Sequence, residues 1–323
     1  MATTHAPTVT CTGPVGATPP HHLAVGRTDV RGALARGEIE PWFQPEFHLT
    51  DGKVVAVEAL ARWVHPTLGI LRPDAFLAQI VKEGLGVAFT RQILASCLAC
   101  LSTLDRAGHG EVAVAMNVPW DWIVDRKNVD ELIRLTAEAG HHPSRVIVEI
   151  VESAPLVRNA HSLRHLNVLR AHGFVLALDD FGTGYSALEH LRYMPLNYIK
   201  IDRSLVERCS NDKRGARLLE GIVTMVHGIG AAVTVEGVSR EEDLDLVLAL
   251  HVDLAQGNLL GEAMPIDALV PWLSRLRTDR HHGGHRMHQE LLSAMTGDQP
   301  LHPTHAHPSR RDRVGFASDF SHS

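Results

Sequence analysis

Six short apolar runs punctuate the chain, and the stretches between them carry apolar residues at every third or fourth position. The runs are VVAVEAL (54–60), VAVAMN (112–117), VIVEI (146–150), FVLALDD (174–180), YIKID (198–202) and AVTVEG (232–237). Short, unbroken and rich in Val, Ile and Ala, they predict strands buried on both faces. The intervening stretches predict helices. NVDELIRLTAEAG ends on Gly140 and SLRHLNVLRAHG on Gly173, each placed as a C-terminal cap. NDKRGARLLEGIVTMVHGIG carries Leu218, Ile222, Met225 and Val226 at helical spacing. Strand and helix alternating in this way predict an α/β fold with a parallel sheet. At about 250 residues a closed (β/α)8 barrel and an open doubly wound sheet suit the pattern equally well.

The two ends read differently. Residues 1–27 are rich in Thr, Pro, Gly and Ala without periodicity, and are expected to be disordered. Residues 278–323 form a polar, His-rich segment, also expected to be a disordered tail. The domain therefore runs from 28 to 277.

Charge and cysteine content narrow the chemistry. The 323 residues hold 31 Lys and Arg against 37 Asp and Glu, a formal charge of −6. That balance supplies no field for gripping polymeric DNA or RNA, though a small nucleotide is not excluded. Cys97 and Cys100 form a C-x-x-C, but within QILASCLACLSTL, an apolar helix with Leu94, Cys97, Leu98 and Leu101 on one face. They are expected to be packing residues, because no second pair stands at metal-ligand spacing. The N-terminus lacks the basic and apolar regions of a secretory signal, and no membrane-spanning run is evident. A cytoplasmic location is expected.

Each apolar run carries a polar group at or near its C-terminal end: Glu58, Asn117, Glu149, Asp179 with Asp180, Lys200 with Asp202, and Glu236. A single such residue usually caps a helix or faces a solvated turn. Six strands behaving alike is a different matter, because in a barrel those ends converge on one face. Carboxylates gathered there repel and desolvate one another unless a cation offsets them. Oxygen donors without clustered His or Cys favour Mg2+ or Mn2+. Neighbours on a strand point to opposite faces. Asp179 and Asp180 can therefore serve one site only if the chain turns, and Phe181-Gly182-Thr183-Gly184 is the expected turn.

The same residues carry a family resemblance. VEALARW (57–63), with FQPE (43–46) upstream, is followed in order by MNVP (116–119), VEIVES (148–153), LDDFGTGYSAL (178–188), YIKIDRSLV (198–206), VEGV (235–238) and DLAQGNLLGEAMP (253–265). Together they resemble the motifs of EAL domains, the cyclic di-GMP phosphodiesterases. The resemblance implies a modified TIM-type (β/α)8 barrel, often dimeric, that hydrolyses cyclic di-GMP to linear pGpG with two Mg2+ or Mn2+ ions. By the same resemblance, Glu58, Asn117, Glu149 and Asp179 would hold one metal. Asp180 would hold the second, with Asp179 bridging and Glu236 on the second metal or its water. Lys200 would contact the attacking water or the phosphate, so Lys200, Glu236 and Glu58 are the catalytic candidates. Gln256 would orient Glu236 and its neighbours, and Gln44, Arg62 and Gln256 would form the substrate groove, with Arg62 facing a phosphate. Glu152 and Asp202 would steady the loop after the Asp pair.

Departures from the family pattern lie around these positions: Pro119, Ser239, Asn258, and Glu262 with Ala263 in GEAMP. None removes an implied metal ligand. They keep open an alternative in which the chain is a catalytically weak receptor for cyclic di-GMP, or a protein-interaction module. No sensor segment is recognisable, so a regulatory partner stays unidentified at this level.

Overall fold

The structure is a computed structural model describing residues 29–151, 160–182, 191–210 and 213–282. A short helix, α1 (Val30–Ala35), is capped by Asp29, whose carboxylate accepts the Gly32 N–H at 2.8 Å. It leads into β1 (Ile39–His48), which turns at once into β2 (Val54–His65). So short a connection permits only antiparallel pairing. A tight hairpin adds β3 (Gly69–Leu71), followed by α2 (Leu77–Lys82) and α3 (Gly86–Arg106).

Strands and helices then alternate. In order come β4 (Ala113–Val118), α4 (Trp120–Val124), α5 (Arg126–Glu138), β5 (Val146–Val151), α6 (Ala160–Ala171), β6 (Val175–Phe181) and β7 (Tyr198–Ile201). After them come α7 (Arg203–Ser210), α8 (Lys213–Gly228), β8 (Ala232–Val235), α9 (Glu241–Ala249), β9 (Leu254–Gln256) and α10 (Ile266–His282). The strand order β1-β9-β8-β7-β6-β5-β4-β2 closes through the β1–β2 pairing into an eight-stranded barrel, with β3 outside the closure. Pairings from β2 round to β9 are parallel, and β1 alone runs antiparallel to both neighbours. The closed barrel, not the open sheet, is the fold.

β1 escaped the apolar pattern because it carries Pro41 and Pro45. Its far edge pairs with β9 only at Glu46–His48. Phe43, of the same parity as the two prolines, sends its N–H outward to the Met264 carbonyl at 2.7 Å. The prolines thus face an edge that needs few donors, where a missing N–H is tolerated.

Two apolar layers hold the barrel. The outer layer lies between strands and helices and includes Val57, Val114, Val148, Leu176, Ile199 and Val233. The inner layer is built largely of small residues: Ala56, Ala113, Ala115, Ile147, Ala177, Tyr198, Ala232 and Leu254. Alternation along a strand assigns one parity to each layer.

Some helical expectations need correction. In α8 the buried stripe is Leu219, Val223 and Val226, while Leu218 is 57% exposed. α10 continues to His282, five residues past the expected boundary at 277. α3 is long and apolar enough to cross a membrane, contrary to the expectation that no such run exists. It nonetheless buries Leu94, Cys97, Leu98, Cys100, Leu101 and Leu104 in the core, so the C-x-x-C pair is packed. Residues 1–28 and the tail beyond 282 lie outside the described residues.

Candidate active site

The inner parity does not stop at the alanine layer. Two residues beyond Ala56, Ala115, Ile147, Ala177, Tyr198 and Leu254 stand Glu58, Asn117, Glu149, Asp179, Lys200 and Gln256 on the inward face, Glu58 where β2 ends its pairing with β4 and the others towards the C-terminal ends of their strands. Glu236 follows β8 by one residue, and its N–H donates to the Ile201 carbonyl at 3.1 Å. Small side chains below leave room for large polar ones above.

Lys200 stands at the centre and is 1% exposed. Its Nζ lies 2.6 Å from Glu236 Oε1, 2.7 Å from Glu149 Oε1 and 3.1 Å from Glu58 Oε2. Asp179 Oδ1 is at 3.8 Å and Glu46 Oε1 at 4.0 Å. The residues of this site that sequence reasoning singled out are therefore neighbours in space.

Asp180 reaches the site by a route the sequence did not suggest. The β6–β7 register slips between Leu178 and Phe181, and Asp180 takes φ +57°. This bulge is the turn that aims successive carboxylates at one locus, and it precedes the expected glycine loop. Asp tolerates the left-handed region better than most residues, at a cost of about 1–2 kcal/mol. Residues 183–190, which hold the rest of that loop, lie outside the described residues, as does Glu152.

Gln256 donates to Glu58 Oε2 at 2.7 Å and to Gln44 Oε1 at 3.1 Å, while Gln44 donates to the Gly261 carbonyl at 2.9 Å. The chain of amides thus orients Glu58, which shares the Lys200 ammonium with Glu236. Asn117 also donates to Glu58, at Oε1 and 3.0 Å. Asp202 caps α7 by accepting the Ser204 N–H at 2.9 Å, and its own N–H ties β7 to the Phe181 carbonyl. Arg62 lies four residues beyond Glu58 on the same face of β2, half-buried.

Glu46 was missed. It is 4% exposed, faces inward opposite Gln256, and brings a further carboxylate near Lys200. The signal was present, since Glu46 shares the parity of Gln44 in FQPE, but β1 had not been recognised as a strand.

Burial and mutual repulsion perturb the carboxyls around Lys200. Burial pushes Glu149, Asp179 and Glu236 above the usual range, with Lys200 opposing and mutual repulsion adding. Asp180 is pushed up to about 6 by burial and the Asp179 charge, and Glu46 up to about 7 by burial. Glu58 goes the other way: Lys200 and the bonds from Gln256 and Asn117 outweigh its burial.

These residues fit divalent ions. Glu58, Glu149 and Asp179 form one group able to hold a metal, and Asp179, Asp180 and Glu236 a second, so Asp179 belongs to both. Among the described residues, Asn117 Oδ1, Glu149 Oε2 and Glu46 Oε1 are buried acceptors without a hydrogen-bond partner. All are hard oxygen donors, the type that suits Mg2+ and Mn2+. The cleft above them, about 420 Å3, is walled by Gln44, Leu60, Leu77 and Gly237. That volume suits a small-molecule ligand.

The sequence model of the EAL domain matches residues 27–263. NbdA of Pseudomonas aeruginosa, named a cyclic di-GMP phosphodiesterase, is 33% identical over 251 residues, 78% of this chain and 32% of that protein. RocR of the same species, named likewise, is 34% identical over 246 residues, 76% of this chain and 62% of that protein. The chain thus spans about a third of NbdA and less than two thirds of RocR. The solved structure of the PaMucR phosphodiesterase in its c-di-GMP complex matches with a TM-score of 0.70 and 31% identity, covering 75% of this chain and 98% of that one. With its motifs, its barrel and its matched span in agreement, the chain belongs to the EAL domain family.

Proposed function

We propose that residues 28–277 form a phosphodiesterase domain that opens one ester of cyclic di-GMP to give linear pGpG, using two divalent ions, Mg2+ or Mn2+. The observation that carries this reading is the pair of carboxylate groups sharing Asp179 at the floor of the cleft. The relatives named as phosphodiesterases supply the substrate.

A phosphodiester resists attack because its anionic oxygens repel a nucleophile and water is a weak acid. Bound ions would neutralise the phosphate, acidify a water and stabilise the leaving 3′-oxygen. Glu58, Asn117, Glu149 and Asp179 would hold one ion, and Asp179, Asp180 and Glu236 the other. Six carboxyl groups, Glu46 included, surround a single ammonium, and burial raises five of them, so the metal-free floor keeps protons that bound ions would displace. Lys200 places its positive charge beside the phosphate, where charge develops in the transition state. Gln256 and Asn117 hold Glu58 in one orientation. Leu60 and Leu77 offer an apolar wall for a guanine. Dimerisation and a cytoplasmic location belong to the same reading, and light scattering measures the first.

The test is a chromatographic assay of the purified chain with cyclic di-GMP and Mg2+ or Mn2+, beside Glu58→Ala. Appearance of pGpG with the wild type alone supports the reading. Binding by calorimetry without product would move the chain to the receptor class and direct attention to Ser239, Asn258 and Glu262.

A further inference from the structure

We infer that Arg72 acts with Arg62 as a paired-guanidinium grip on the substrate's second phosphodiester, the one not being opened. This rests on the cyclic di-GMP reading above, and it adds a residue that lies outside every motif quoted for the family resemblance.

The β2–β3 hairpin pairs Trp63 with Leu71, Val64 with Ile70 and His65 with Gly69. One step further in the same register, Arg62 stands opposite Arg72. Arg72 keeps extended geometry, φ −85° and ψ 164°, so the register carries through it. Residues directly opposite place their Cβ atoms about 4.5–5.5 Å apart on one face. That face of β2 also carries Glu58 and Leu60, because parity repeats every second residue. Arg72 opens the segment Pro73–Ala75, beyond which Leu77 forms part of the cleft wall. The pair stands next in the chain to the Leu60 and Leu77 wall, outside the residues that line the cleft itself.

Two like charges opposite one another destabilise a sheet. Among the described residues neither arginine has a carboxylate within 4.0 Å, and Glu58 acts on Arg62 only through its longer-range charge. Glu40, opposite Arg62 on the β1 side, instead accepts the Trp42 indole N–H at 3.2 Å. Arg62 turns back along its strand, with Nη1 donating to the Ala61 carbonyl at 2.9 Å. Burial and the Arg72 charge lower its pKa while the Glu58 charge raises it, so the three groups share one field.

Two guanidiniums side by side suit an anion with several oxygens, which each can hold through paired N–H groups. A cyclic dinucleotide supplies one. It carries two phosphodiesters in a single ring, and with one over the carboxylate floor the other must lie elsewhere in the cleft. At about 3.3 Å per residue, Arg62 is roughly 13 Å along the strand from Glu58. In the proposed complex the two long side chains would swing inward from their present positions to shorten that span.

The test compares the full chain as wild type, Arg72→Ala and Arg72→Lys, with Mg2+ or Mn2+ present. Substrates are cyclic di-GMP and bis(p-nitrophenyl) phosphate, which has one diester and no second anion. For Arg72→Ala, KM for cyclic di-GMP should rise about tenfold or more at unchanged kcat, as expected for lost charge-assisted hydrogen bonds. The loss for cyclic di-GMP should exceed that for the single diester by a similar factor, and Arg72→Lys should recover part of it. An unchanged KM, or equal losses on both substrates, overturns the inference. Should the wild type bind cyclic di-GMP without turnover, Kd from calorimetry replaces KM and the same comparison decides. Should the wild type neither bind nor hydrolyse it, the substrate reading itself fails, and this inference falls with it.

Discussion

The main-chain N–H of Asp180 donates to Asp179 Oδ1 at 2.9 Å, closing a bulge in which Asp180 sits at φ +57°. One hydrogen bond thus couples the backbone turn to the carboxylate shared by both metal-holding groups. Asp180→Asn should keep the turn, since Asn also tolerates left-handed geometry, yet remove a ligand charge. Bound metal per chain, measured by elemental analysis after dialysis, should fall from two to one. Asp180→Val should disturb the turn itself, at a cost of about 2 kcal/mol. That loss lowers the melting temperature by several degrees on the scale of a domain this size.

Glu58 is held by Gln256, which also bonds Gln44, and removing these two amides should differ in effect. Gln256→Ala leaves Glu58 Oε2 without its amide donor. Loss of a residue that orients a ligand typically lowers metal affinity or activity about 10- to 100-fold. Gln44→Ala acts one bond further away, through Gln256, and should cost several-fold less. Metal titration by calorimetry ranks the two, and equal losses would show that Gln44 touches ligand directly.

Raised carboxyl pKa values set the pH response of the metal-free protein. Glu46 rises from 4.5 to about 7 and Asp180 from 3.8 to about 6, so the folded state binds more protons than the unfolded state between those limits. Stability should therefore fall as pH rises from about 4 to 7 in chelator. Divalent ions displace those protons and should raise the melting temperature more at pH 8 than at pH 5.5. Thermal melts in Mg2+ or Mn2+ against chelator check both signs. A metal-free protein that grows more stable towards about pH 7 would contradict the assignment.

The C-x-x-C on α3 should be inert. Burial pushes the Cys100 thiol up to about 12 and holds Cys97 well above its ordinary value, so neither offers thiolate at neutral pH. Mass-spectrometric mapping after iodoacetamide at pH 8 should find both unmodified in the folded protein and both modified in denaturant. Modification of either in the native state would place it at an accessible site.

Much of this was legible in the chain for a simple reason. Strand parity is two, so a polar residue two positions beyond a small inward one, as Glu58 beyond Ala56 or Asp179 beyond Ala177, announces a shared face before any contact is known. The helix ends at Gly140 and Gly173 were readable too. Both glycines take positive φ, 78° and 92°, where a side chain would be strained.

Local pattern cannot report what depends on closure. β1 reads poorly because its prolines face an edge that only the finished barrel leaves unpaired, and Glu46 was lost with it. β9 is three residues long and carries too little pattern to see. Within α8 the choice between Leu218 and Leu219 was set by rotation against β8, which periodicity alone leaves free. The alternating runs established that strands and helices would build a sheet covered on both faces with oxygen ligands at its strand ends, since parity and residue chemistry are local properties. Tertiary structure decided that the sheet closes through an antiparallel β1, that a bulge rather than a glycine loop turns Asp180 inward, and that Gln256 serves Glu58. Each of those depends on which distant strand lies alongside, and strand pairing is a property of the whole chain.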